Sequence, residues 1–241
     1  MQPSWRMTVY DLRIAGHATV EGGSERFFYL REGHACADSD HALPLEADHG
    51  FFSRETTKFE GEGTLWVYEM APFGTPLLPS PDALVVLSRR FERESGPPLL
   101  LRADRIESPP GAATPRHTHR GPGVRRLLYG RLLAEMGDDL QLIEPGQAWF
   151  ETGKDPIVGT NISPGDSSFV RMMVLPIELE GGKSSFVASS SEEARKPRAV
   201  TNSLFGEASR LPVMSSGAGR PSPASSRMDE SVCRTTRRNA R

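Results

Sequence analysis

Apolar and polar positions alternate with period two over short stretches of this chain, and glycine- or proline-containing clusters separate the stretches. Residues 8–14 (TVYDLRI) alternate and stop at Ala15-Gly16. Residues 26–30 (RFFYL) stop before Gly33, and 64–70 (TLWVYEM) stop at Ala71-Pro72. Further along, 99–106, 126–129 and 168–175 have the same character. Successive side chains of a strand point to opposite faces, so this period predicts half-buried strands. Many short strands between glycine and proline turns predict an all-β sandwich or barrel. Residues 82–93 read equally as helix or strand.

Residues 72–98 carry six prolines and two glycines. Proline is disfavoured in central strands, so this stretch is expected to join two units, with the connection at 76–98. On each side the same order appears: strand, glycine (Gly33 or Gly130), polar stretch, glycine (Gly50 or Gly146), strand. The pattern predicts two copies of one β unit, over about 1–75 and 99–190.

The chain has 241 residues, ample for a large core without cross-links. The net charge of −2 supplies no whole-chain field toward nucleic acid or anionic lipid. Cys36 and Cys233 lie far apart and match no short metal spacing. The first residues contain no apolar leader and no run approaches the length of a membrane span, so a cytoplasmic location is expected. Residues 208–241 hold seven arginines, two acids and few core-forming side chains, and are expected to be a disordered basic tail. No P-loop, nucleotide-binding glycine fingerprint or Gly-x-Ser-x-Gly is present, which removes support for the common NTPase, dinucleotide and hydrolase chemistries.

The chemistry-bearing segment is Gly111 to Gly130. His117 and His119 are two apart, so on a strand they share a face and can reach one ligand or one metal ion. Glu151 shares a face with Trp149 and is the remaining candidate donor; two imidazoles and a carboxylate with open positions are the ligand set of non-haem iron sites. Arg171 alternates with Phe169 and Met173. Turned inward it would need an anion or a partner such as Glu151, and turned outward it would be solvated, the reading slightly favoured. Arg125-Arg126 and Arg89-Arg90 read as solvated pairs, and His34, His41 and His49 as scattered surface residues.

The frame Gly111, five residues, His117-x-His119, then Gly130 resembles the first motif of the cupin superfamily. The family's glutamate place holds Gly123, or Val124 in the longer spacing. From Gly146, Asn161 falls where the second motif has asparagine, but Thr152, Lys154 and Ile157 stand in its proline, glycine and histidine places. The stretch 145–151 resembles the Gly-Asp-x-Trp-x-Glu version of that motif, and 169–185 resembles part of a group of bacterial bicupins. In the N-terminal half, Val20, Gly22 and Gly61 stand where the family has histidines.

The resemblance implies two jelly-roll barrels in tandem, the first degenerate, with the only pocket in the second. It also implies an extended segment at 191–207 that packs back through Pro197 and Phe205, and the common dimerisation of cupins makes a homodimer an expectation. The leading expectation for function is small-molecule binding at His117, His119, Trp149, Glu151 and Arg171, without a resident metal. The alternative is a mononuclear metal enzyme, an oxygenase or isomerase. It would hold iron, manganese, zinc or nickel through His117, His119 and Glu151.

Overall fold

In a computed structural model, residues 3–38, 42–93 and 98–210 are described. His41 and the expected tail beyond 210 lie outside them. The N-terminal half is one six-stranded antiparallel sheet: β1 (Ser4–Val20), β2 (Glu25–Asp38), β3 (Ala42–Glu46), β4 (Gly50–Ser53), β5 (Thr57–Pro72) and β6 (Ala83–Glu92). Its order is β3-β2-β5-β1-β6, with β4 paired to β2. The strands of the C-terminal half are β7 (Leu99–Ser108), β8 (His117–His119), β9 (Gly123–Tyr129), β10 (Leu132–Met136), β11 (Asp139–Ile143), β12 (Ala148–Glu151), β13 (Ile157–Asn161), β14 (Ser167–Pro176), β15 (Phe186–Ala188) and β16 (Thr201–Arg210). They form two five-stranded sheets, ordered β12-β9-β14-β7-β16 and β11-β10-β13-β8-β15. Among the described residues no helix is long and apolar enough to cross a membrane.

The N-terminal sheet bends over on itself. Phe28 of β2 lies opposite Val67 of β5, eight residues from Phe59. A straight strand would separate those positions by about 27 Å, yet the rings of Phe28 and Phe59 are 5.2 Å apart. A row of glycines permits the fold. Gly33 and Gly61 take positive φ, and a Cβ on either would meet backbone of the neighbouring strand at 2.1 and 2.3 Å. The bent arms enclose Tyr10, Leu12, Ile14, Val20, Leu30, Leu45 and Leu65. On the same face Glu69, 1% exposed, meets Arg6, Arg26 and the Tyr10 hydroxyl. Burial, with Glu69 adding to it, pushes the Tyr10 hydroxyl up to about 12.

The opposite face covers the β7–β9–β14 sheet. Met7, Val9, Phe27, Trp66, Tyr68 and Met70 pack against Leu101, Ala103, Val124, Val170, Met172 and Val174. Period-two alternation then sends the intervening residues of the second sheet toward the third. Arg102 and Asp104 on β7, Arg125 on β9, Trp149 and Glu151 on β12, and Phe169 and Arg171 on β14 all point that way. The result is three sheets in succession, with the middle one covered on both sides.

Three features differ from the sequence reading. The stretch read as a connection contains β6, which pairs with β1 along its length and completes the first sheet; its prolines flank the strand and leave the ladder intact. The last strand continues past residue 207: Ala208 is buried opposite Leu101, so the boundary placed at 207/208 falls inside β16. Of the two contacts expected of the 191–207 segment, Phe205 packs on Phe27 and Tyr29 and Pro197 is exposed.

Candidate ligand pocket between the second and third sheets

A cavity of about 320 Å³ lies between the two C-terminal sheets. Leu132, Ala134, Met136, Ile157 and Phe169 supply apolar wall, and His117, His119, Trp149, Glu151 and Arg171 line it as well. All five sequence-derived site residues therefore border one space.

The three-residue strand β8 presents the histidines. Ile157 of β13 stands opposite His117 on one side, and Phe186 and Ala188 of β15 stand opposite His119 and His117 on the other. His117 is 6% exposed and its Nδ1 lies 2.7 Å from the Pro115 carbonyl oxygen. A carbonyl only accepts, so Nδ1 carries the proton and Nε2 carries a lone pair. The ring stacks on Phe186 at 4.3 Å and meets the His119 ring edge-on at 4.8 Å. His119 Nδ1 is 3.2 Å from Ser185 Oγ, and its Nε2 is 3.6 Å from Glu151 Oε2. Burial lowers the basicity of both histidines, and the charges of Arg125 and Arg171 lower it further, so both imidazoles are neutral near pH 7.

Arg171 faces inward, against the solvated reading, and its partner is Asp104 instead of Glu151. Nε and Nη2 span the two Asp104 oxygens at 2.5 and 3.0 Å, and Asn202 donates to the same carboxylate. Burial opposes the Arg171 charge, but Asp104 outweighs it and the net shift is upward.

Arg125 is a second correction: it is 1% exposed, not solvated. Its Nη1 donates to the Gly123 carbonyl at 2.7 Å, and its Nη2 touches Glu151 Oε2 at 2.5 Å, out of hydrogen-bond alignment. Burial lowers its pKa to about 10. Arg126 is buried too, on the other face, where it grips Asp11 bidentately and lies over Trp66. The identity of these residues pointed to the surface, but their neighbours' alternation pointed inward. Asp104 and Ser185 were also missed; only the strand period placed Asp104 on the pocket side of β7.

The donor set does not fit a resident metal ion. Among the described residues no three His, Cys, Asp or Glu side chains converge for one. Glu151 is committed, with Oε1 accepting from Trp149 Nε1 at 2.9 Å and Oε2 against Arg125. The family's glutamate place at Gly123 has no room: a Cβ there would stand 2.8 Å from the Met172 carbonyl oxygen and 3.1 Å from Arg125 Nη1. The family's second-motif histidine place holds Ile157, an apolar wall. Two buried guanidinium groups beside the histidines oppose a divalent cation.

No protein-family model matches the chain, and no curated protein matches it by sequence. Solved structures do match. Oxalate decarboxylase of Lactobacillus farciminis, in a formate complex, aligns with 82% of this chain and 87% of its own, at TM-score 0.54 and 11% identity. Salicylate 1,2-dioxygenase of Pseudaminobacter salicylatoxidans aligns over 85% and 76%, at 0.50 and 9%. An iolb-like protein of Salmonella typhimurium aligns over 78% and 89%, at 0.53 and 14%. The first two are cupin-fold proteins. The fold of this chain is the cupin fold. At these identities the likeness concerns fold alone, so any activity must be argued from the pocket. The two histidines of the cupin-like frame line the pocket, while Gly123 and Ile157 stand where that frame has a glutamate and a further histidine.

Proposed function

We propose that this chain is a bicupin that binds a small molecule in its C-terminal half without a resident metal ion. In this reading the bent N-terminal sheet is a degenerate first barrel that supports the second. One observation carries the proposal. A largely apolar pocket contains two neutral imidazoles with buried side chains whose Nε2 atoms make no hydrogen bond among the described residues. Pockets of this size, with apolar walls and a few convergent polar groups, are typical of small-molecule sites.

Metal analysis of the mildly purified protein, combined with a ligand-detected NMR fragment screen, tests the reading. The expected result is metal far below one equivalent and fragments that compete for one site. Stoichiometric iron, manganese, zinc or nickel that disappears in a His117→Ala, His119→Ala double variant would establish the metal-enzyme alternative instead. A screen in which no fragment binds would defeat the binding reading.

A further inference from the structure

The pocket wall holds two neutral imidazoles whose outer ring nitrogens make no hydrogen bond among the described residues. His117 Nε2 bears a lone pair because Nδ1 gives its proton to Pro115. Ser185 directs its hydroxyl proton to Met173 Sδ at 3.9 Å, which leaves its oxygen to accept from His119 Nδ1. With the hydroxyl proton so placed, His119 Nε2 also bears a lone pair, and it lies 3.6 Å from Glu151 Oε2. That Glu151 oxygen is already ion-paired with Arg125 Nη2 at 2.5 Å. Two imidazole acceptors thus border one cavity beside an ion-paired carboxylate, and leaving such acceptors unmatched is costly.

The charges nearby restrict what can supply the missing proton. A cationic ligand would meet the Arg125 and Arg171 guanidinium groups. An anionic ligand would meet the acceptors, and the arginines that might attract it are engaged: Arg171 by Asp104, Arg125 by Glu151 and Arg102 by Glu207. Arg198, the remaining arginine of the lining, sits at the exposed rim over the Phe186 ring. We propose that the pocket selects a neutral, mostly apolar molecule ending in a hydrogen-bond donor, such as an alcohol, a phenol or a primary amide. Its donor is accepted by the imidazoles of His117 and His119, while its body lies along Leu132, Met136, Trp149 and Phe169. The inference rests on the pocket-binding reading and adds the class of ligand.

Calorimetric titration of the full chain at pH 7.5 with 2-naphthol, naphthalene and 2-naphthoate tests it. These probes share a ring system and differ in donor and charge. The expected result is 2-naphthol binding at least tenfold more tightly than either of the others. His119→Phe should erase that preference, and His119→Gln, which restores an acceptor, should recover part of it. If either variant fails to fold, the ranking of the three probes on the unaltered protein still decides. Equal binding of naphthalene and 2-naphthol, or tighter binding of 2-naphthoate, would overturn the donor selection and leave pocket binding standing. Absence of binding by all three, together with an empty fragment screen, would remove both.

Discussion

The two halves of this molecule enclose space in the same way and use it differently. In the N-terminal half the bent sheet closes on Tyr10, Phe28, Phe59 and a set of leucines that fill its interior. In the C-terminal half the cluster between the sheets is small (Leu127, Leu132, Ala134, Ile143 and Trp149) and borders a cavity. Each interior buries carboxylate and guanidinium groups together. In the first they close a network at Glu69, while in the second they stand beside two unmatched imidazoles. A filled interior leaves no room for a ligand, whereas a hollow one with paired charges at its edge does.

The largest effect that tests this contrast is Glu69→Ala. Among the described residues Glu69 is the carboxylate ion-paired with two buried arginines, Arg6 and Arg26, and it also accepts from Tyr10. Removing it strands both guanidinium groups, a loss expected at about 3–5 kcal/mol. Thermal denaturation should show a drop of that size. A loss below 1 kcal/mol would mean that the network is not a support.

Matched truncations sharpen the comparison. Phe59 is 1% exposed inside the filled half, and Phe59→Ala should cost about 3–5 kcal/mol in urea denaturation. Phe169 lines the cavity, so part of its surface already lacks packing partners. Phe169→Ala should cost clearly less. Equal losses at the two positions would contradict the description of one half as filled and the other as hollow.

How much of this was legible follows the range of each cue. Alternation in 8–14, 64–70 and 168–175 located β1, β5 and β14 because it is a local consequence of one buried face. The His117-x-His119 pair was legible for the same reason, and so was the shared face of Trp149 and Glu151. The pattern at 82–93 leaves β6 open between helix and strand, and the flanking prolines assign it to a connection. Arg125 was hidden by its own identity, since burial of a guanidinium depends on Glu151 and on the Gly123 carbonyl, which only the folded chain brings together. The bend of the first sheet depends on Gly33 and Gly61 meeting backbone of the neighbouring strand, and no local pattern states which backbone that is.

A pH dependence separates the halves next. Burial holds His117 and His119 below their ordinary range, so the folded state leaves them neutral where the unfolded chain protonates them. Below about pH 6.5 the unfolded state binds more protons, and stability must fall as pH falls. Each histidine adds up to about 1.4 kcal/mol per pH unit in that window. Urea denaturation at pH 5 and pH 7.5 should show the loss, and a His117→Phe, His119→Phe double variant should flatten it. A slope unchanged in the double variant would place its origin outside the pocket.

The smallest expected effect is at the rim. Arg198 lies 3.7 Å from the Phe186 ring centroid and donates to Ser184 Oγ at 3.2 Å, but its side chain is exposed and it forms no ion pair among the described residues. A cation over an aromatic face at an exposed position contributes about 0.5–1 kcal/mol, so Arg198→Ala should lower stability by no more than that. The contrast with Arg125 is the point of the measurement. Arg125→Ala leaves the Glu151 carboxylate buried without its cation and should cost several-fold more. Phe186 lies between Arg198 and His117, stacked on the imidazole at 4.3 Å. If Arg198→Ala destabilised the protein as strongly as Arg125→Ala, the column Arg198–Phe186–His117 would be part of the load-carrying structure of the C-terminal half, and the boundary drawn between rim and interior would have to move outward to include it.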